Sequence, residues 1–147
     1  MYELRHLQYI ELPLIPEDIV QNYLTKLDSV EAKWTAPDAS GYMWSDSNNQ
    51  EIHEWCTRNI CADMYWGFQH MPADVPVHND VGTVLKFVYL IQPGGENVIT
   101  RFYPKNKPQE DYHIPVHKWH ILKVDCDHSV DGIQLNQRRI SVTGRLF

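Results

Sequence analysis

The chain has 147 residues, with 13 basic and 19 acidic side chains and a net charge of −6. That is one domain's length, enough to bury roughly 70% of the unfolded surface without disulfides. At 43% hydrophobic and 22% charged residues it is not disordered or collagen-like, and the acidic balance argues against nucleic-acid binding. No apolar run reaches the length of a membrane span, and the opening MYELRHLQYIELP lacks a signal peptide's apolar stretch. Cys56, Cys61 and Cys126 fit no disulfide framework, which makes a reducing, cytoplasmic setting the expectation.

In chain order, the first third reads as helical. Ile15, Ile19, Val20, Tyr23, Leu24, Leu27 and Val30 recur at near-helical spacing behind Pro16, which suits a helix start. An aromatic loop, Trp34 to Trp44, comes next. A second helix is expected over about 48–61, with Ser47 and Gln50 as a capping box and Ile52, Trp55, Cys56, Asn59 and Ile60 on one face. From Met64 the period changes to short apolar stretches separated by turns: MYWGFQHM, PADVP, TVLKFVYLI, QPGGEN, VITRFY, HIPV, WHILKV and RRISVTGRLF. Such a pattern predicts a compact antiparallel sandwich or barrel. The fold class is therefore α+β, a β-sandwich backed by two N-terminal helices. One domain spans 1–147, with 1–62 as helical support and 63–147 as the β core.

Common catalytic motifs are missing. No GxGxxG, Walker loop or GxSxG occurs, and the start of HExxH at His53-Glu54 fails because position 57 is Thr57. His113, His117 and His120 lack thiol partners and read as scattered surface histidines. What remains is His78-Asn79-Asp80. Its spacing puts an imidazole and a carboxylate on one face of a strand, where both reach one metal. Alone the motif is weak, because chance supplies roughly 0.6 such pairs in a chain of this composition.

Residues further along the chain give it weight. His128 stands fifty residues on, after the apolar strand Trp119 to Val124, and Arg139 opens the last strand. His78, Asp80 and His128 would form a two-histidine, one-carboxylate set that leaves open positions on iron. Arg139 would offer the planar fork that holds a carboxylate in two places. In that strand Arg139, Ser141 and Thr143 alternate with Ile140 and Val142, so a polar face lines the cleft while an apolar face packs on helices. Arg138 is the neighbouring alternative, pointing with Ile140 and Val142.

This ordered set resembles the 2-oxoglutarate/Fe(II)-dependent oxygenases, and within them the small prolyl-4-hydroxylase-like group. The residues that carry the resemblance are His78-Asn79-Asp80, Gly94-Gly95, His128-Ser129-Val130 and Arg139-Ile140-Ser141-Val142, over roughly 64–147. The resemblance implies a double-stranded β-helix (jelly roll). It implies Fe(II) on His78, Asp80 and His128, with 2-oxoglutarate anchored by Arg139 beside Ser141 and Thr143. Tyr89 sits where a co-substrate-binding tyrosine often sits, whereas Phe68 stands ten residues before His78, where relatives often carry a tyrosine. The implied reaction is hydroxylation of a C–H bond in a peptide or small molecule, with succinate and CO2 released and ascorbate as reductant. No nucleic-acid or membrane partner is expected. Arg139 and Arg145 also match the spacing of the nucleic-acid dealkylating branch, which the charge of −6 disfavours. Two alternatives stay open. One is a cupin-like metalloenzyme without 2-oxoglutarate, against which stands the absence of HxH. The other is a non-catalytic jelly-roll binding or structural protein.

Overall fold

The computed structural model describes residues 5–27, 44–46, 49–80 and 82–146. Helix α1 spans Glu17–Leu27, and the Pro16 carbonyl accepts its first bonds, from the Ile19 and Val20 amides at 3.1 and 3.3 Å. Glu17 and Asp18 in the first turn and Lys26 in the last complement the helix dipole. Helix α2 spans Gln50–Asn59. Its cap is Asn49, whose side chain accepts from the Ile52 amide at 3.0 Å, not the expected Ser47. Asn49 stands three residues before that amide, the separation a capping side chain spans. Ser47, Val30 and the aromatic loop up to position 43 lie outside the described residues; Trp44 opens a strand.

Ten strands complete the described fold: β1 (Leu7–Tyr9), β2 (Trp44–Asp46), β3 (Met64–Met71), β4 (Val75–His78), β5 (Leu85–Pro93), β6 (Ile99–Tyr103), β7 (Glu110–Tyr112), β8 (Trp119–Lys123), β9 (Asp127–Asp131) and β10 (Arg139–Leu146). They form a six-stranded sheet, β1-β8-β5-β10-β3-β2, and a four-stranded sheet, β4-β9-β6-β7, with every pair antiparallel. The helical first third also supplies two strands not expected from the sequence, β1 and β2, which form both edges of the larger sheet. These strands are three residues long, too short to show an alternation.

The helices cover one face of the larger sheet. Val20 and Tyr23 from α1 and Ile52 and Cys56 from α2 pack with Trp66, Phe68, Tyr89, Trp119, Ile140 and Val142. Tyr23 stacks on Phe68 with ring centroids 3.4 Å apart. Both buried tryptophans find acceptors, Trp66 Nε1 on the Cys61 carbonyl at 2.9 Å and Trp119 Nε1 on that of Pro13 at 2.8 Å. The opposite face carries Val88 and Leu122, which cluster with Phe102 of the smaller sheet and with Val124. A bulge sets the register between β5 and β10. Ile140 pairs with Gln92 but Ser141 pairs with Leu90, which leaves Ile91 as the extra residue. Lys86, Val88 and Leu90 thereby share the cleft face with Ser141, while Tyr89 and Ile91 join the helix-side core. Among the described residues no helix is long and apolar enough to cross a membrane.

Candidate metal centre

His78 ends β4 and His128 lies in β9, and the two residues face each other directly in the antiparallel register. Asp80, two residues beyond His78, turns back toward both rings. His78 Nε2 lies 3.3 Å and His128 Nε2 3.6 Å from the same Asp80 oxygen. Ligand atoms about 2.1 Å from a shared metal and at right angles around it stand ~3.0 Å apart, close to the two separations from Asp80, and all three donor atoms lie within 4.8 Å of one another.

The donor set fits a cation for a second reason. Each histidine engages a backbone carbonyl two residues back through Nδ1, Pro76 for His78 and Cys126 for His128, both at 2.8 Å. A carbonyl only accepts, so Nδ1 carries the proton in each ring. In the neutral rings Nε2 is then a lone pair aimed at a carboxylate. Three acceptors converge, and a divalent cation between them resolves the arrangement. Carbonyls holding the far ring nitrogen are the usual supports of metal-binding histidines. The hydrogen bond to Asp80 raises His78 above its ordinary value, against the effect of burial. Burial opposes the Asp80 charge, yet the hydrogen bonds from His128 and His78 and the charge of Lys86 outweigh it. They hold the carboxyl well below the usual range.

Arg139 enters the same cleft from β10. It is 5% exposed, and burial pulls its pKa down to about 10, so it stays charged at neutral pH. Nη1 donates to the Pro93 carbonyl and Nη2 to Thr100 Oγ1, each at 3.2 Å. These bonds fix the plane of the fork. Gly94, with φ 88°, permits the approach, because a Cβ there would stand 3.0 Å from the Arg139 amide nitrogen. Arg138 points the other way, toward Gln21 and Leu24 of α1. Parity therefore distinguishes the two arginines as the alternation of the strand predicts.

The remaining site residues divide. Ser141 lines the cleft beside Arg139, and Thr143 shares that face, paired with Val88 and Gly67, but is not among the residues lining the cleft. Tyr89 is a correction. It is buried in the helix-side core against Trp119, and its hydroxyl bonds the Ile15 backbone, so it faces away from the cleft. The physical reason is that bulky apolar residues occupy both faces of LKFVYLI beyond Lys86, so the strand gives no clear sign of which face Tyr89 joins. Phe68 likewise stacks on Tyr23 among the helices, and the cleft-facing residue beside it is Gln69. Lys86 is a site residue that the sequence does not single out. It is 7% exposed, lines the cleft and donates to Gln69 Oε1 at 3.0 Å. A lysine at the head of an apolar strand reads as a solvated end, and only the second sheet shows that it is enclosed. Of the other histidines, His113 and His117 are exposed, but His120 is 4% exposed, so it is not on the surface as expected.

No family model and no curated protein matches the sequence. Solved structures do match. A Pseudomonas putida prolyl-4-hydroxylase aligns over 96% of this chain and 91% of its own, with a TM-score of 0.59 and 12% identity. The chain has the fold of that oxygenase. The non-heme α-ketoglutarate dependent epimerase SnoN from nogalamycin biosynthesis aligns over 93% of this chain and 77% of its own, with a TM-score of 0.55 and 13% identity. The chain spans about half of some longer neighbours. EvdMO1 aligns over 95% of this chain but 46% of its own, with a TM-score of 0.57 and 13% identity.

Proposed function

We propose that this protein is an Fe(II)- and 2-oxoglutarate-dependent oxygenase built on a double-stranded β-helix, and that it hydroxylates a C–H bond. The single observation that carries the proposal is the convergence of His78, Asp80 and His128 on one point inside the cleft that Arg139 also enters. The fold shared with a prolyl-4-hydroxylase supports it.

In this reading His78 Nε2, His128 Nε2 and an Asp80 oxygen hold the metal, and the Pro76 and Cys126 carbonyls keep both rings in the binding tautomer. When bound, iron with 2-oxoglutarate and O2 supplies the oxidising chemistry, one oxygen atom going to succinate and the other to the substrate, with loss of CO2. Arg139 holds the distal carboxylate of 2-oxoglutarate, taking advantage of a guanidinium already oriented by Thr100 and Pro93. Val88, Leu90, Leu122 and Val130 make the walls apolar and limit water around the reacting centre. The substrate is a peptide or a small molecule.

The test is anaerobic titration with Fe(II), with and without 2-oxoglutarate, followed by visible absorption. A weak charge-transfer band that needs both components is the expected result. With O2 and ascorbate the wild type then converts 2-oxoglutarate slowly to succinate without a second substrate. Asp80→Ala loses band and turnover, while His117→Ala, on an exposed loop, retains both. No band in the wild type overturns the reading, and equal turnover in wild type and Asp80→Ala assigns it to free iron.

A further inference from the structure

Across the smaller sheet one row of residues runs from the candidate metal centre to the sheet edge. His78 pairs with His128, His128 with Phe102 and Phe102 with Glu110, one residue from each of β4, β9, β6 and β7. The rings along this row are in contact. His78 and His128 lie 4.3 Å apart between centroids, and Phe102 lies 5.7 Å from His128. Phe102 is fully buried. Against it lie also His6, stacked at 5.3 Å, and Tyr112, edge-on at 5.9 Å. Glu110 joins these two. One carboxylate oxygen accepts from the Tyr112 hydroxyl, and the other bonds His6 Nδ1 at 2.5 Å. A single apolar ring thus links a candidate metal ligand to a tyrosine whose hydroxyl rests on a carboxylate. Tyr103, from the same strand as Phe102, bonds the Ser129 hydroxyl at 3.1 Å instead.

We propose that Tyr112 is a one-electron donor that quenches an oxidised metal at His78, Asp80 and His128 when no substrate bond is within reach. The inference rests on the reading of those three residues as a redox-metal site, and it gives a function to residues outside the cleft. Phe102 has no side-chain donor or acceptor, so a proton cannot pass along the row, whereas an electron crosses the ring contacts. The proton therefore needs an acceptor at Tyr112 itself. In the step Tyr112 loses one electron and the metal gains it. The phenolic O–H bond breaks, and its proton passes along the existing hydrogen bond to form an O–H bond on Glu110 Oε1. An oxidised phenol is a strong acid, and a carboxylate takes its proton where the serine hydroxyl beside Tyr103 does not. His6 holds the second Glu110 oxygen, which keeps the first aimed at Tyr112. Tyr112, Glu110 and His6 also line a surface pocket of about 570 Å³. A soluble one-electron reductant such as ascorbate, entering there, returns the electron to Tyr112, and Glu110 returns the proton.

The experiment mixes the Fe(II)-loaded protein rapidly with hydrogen peroxide, freezes it and records electron paramagnetic resonance. Peroxide supplies the oxidising equivalents, so neither 2-oxoglutarate nor a substrate is needed. Wild type gives an organic-radical signal whose hyperfine structure changes when the protein is made with ring-deuterated tyrosine. Tyr112→Phe loses the signal and Tyr103→Phe keeps it. Asp80→Ala, which lacks the anionic metal ligand, loses it. Glu110→Gln, which keeps a hydrogen-bond acceptor but no base, loses most of it. Thermal unfolding verifies that the variants fold. A wild type without a tyrosine signal, or a signal that survives Tyr112→Phe, overturns the inference. An equal signal in Asp80→Ala assigns the oxidation to free iron and overturns it too. If the Fe(II)–2-oxoglutarate band forms but no tyrosine signal does, the donor fails and the proposed function stands. If the signal depends on Tyr112 and Asp80 but no band forms, the donor stands and the oxygenase reading fails.

Discussion

Arg139 and Arg138 are adjacent in sequence, yet one is buried in the cleft and the other lies by α1. Arg139→Ala is expected to weaken 2-oxoglutarate binding by about 3–5 kcal/mol, the cost of stripping one partner from a buried ion pair. Arg138→Ala changes it far less, and co-substrate titration of both variants under argon is the check. Tyr89 makes the contrasting case. Its hydroxyl bonds the Ile15 backbone inside the helix-side core. Tyr89→Phe should therefore cost about 1 kcal/mol of stability in urea unfolding while leaving co-substrate affinity unchanged. A loss of affinity in that variant would place the hydroxyl in the cleft after all.

At the scale of elements, the cap of α2 decides how that helix begins beneath the sheet. Asn49 accepts from the Ile52 amide, and Ile52 is fully buried against the helix-side core. Asn49→Ala should lower unfolding stability by about 1 kcal/mol, and Asn49→Ser should restore most of it. Should alanine prove neutral in chemical denaturation, the helix start is held by packing alone. The β4–β9 pair has a further role. It packs Val75 against Val130 in a small cluster and brings His78 and His128 face to face, so register there is also a functional property.

For the whole molecule, acid stability is governed by groups buried uncharged. Burial, helped by the charge of Arg138, lowers His70 to about 4, and burial also lowers His120. An unfolded histidine takes up its proton near pH 6.5, whereas folded His70 does so near 4, so the unfolded state binds more protons between them. Stability therefore rises with pH across this window, and His70 alone accounts for roughly 3 kcal/mol lost on acidification from 6.5 to 4. His78, raised by Asp80, acts with the opposite sign: its contribution is present at low pH and is lost as pH rises through its folded value. Asp80, held low, adds stability that disappears only in stronger acid. Urea midpoints measured from pH 7 to 4 should fall for the wild type and fall less for His70→Gln. Parallel curves would show that His70 does not control the acid limb.

The strand-rich character after Met64, the two helices and the order of His78, Asp80, His128 and Arg139 were legible in the sequence. Each of these is a local pattern: a period, a cap neighbourhood, a spacing of two, an alternation along one strand. Parity sufficed for Arg139 because β10 is polar on one face and apolar on the other at that end. Tyr89 is placed by the resemblance alone, and because β5 carries bulky apolar residues on both faces, no local pattern says that it points to the helices. The edge strands β1 and β2 escaped because three residues carry no period and their hydrogen-bond partners lie far along the chain. Lys86 and Gln69 became site residues only when the second sheet closed over them. Burial is a property of the assembled layers, and a charged side chain in one strand holds no record of what will cover it.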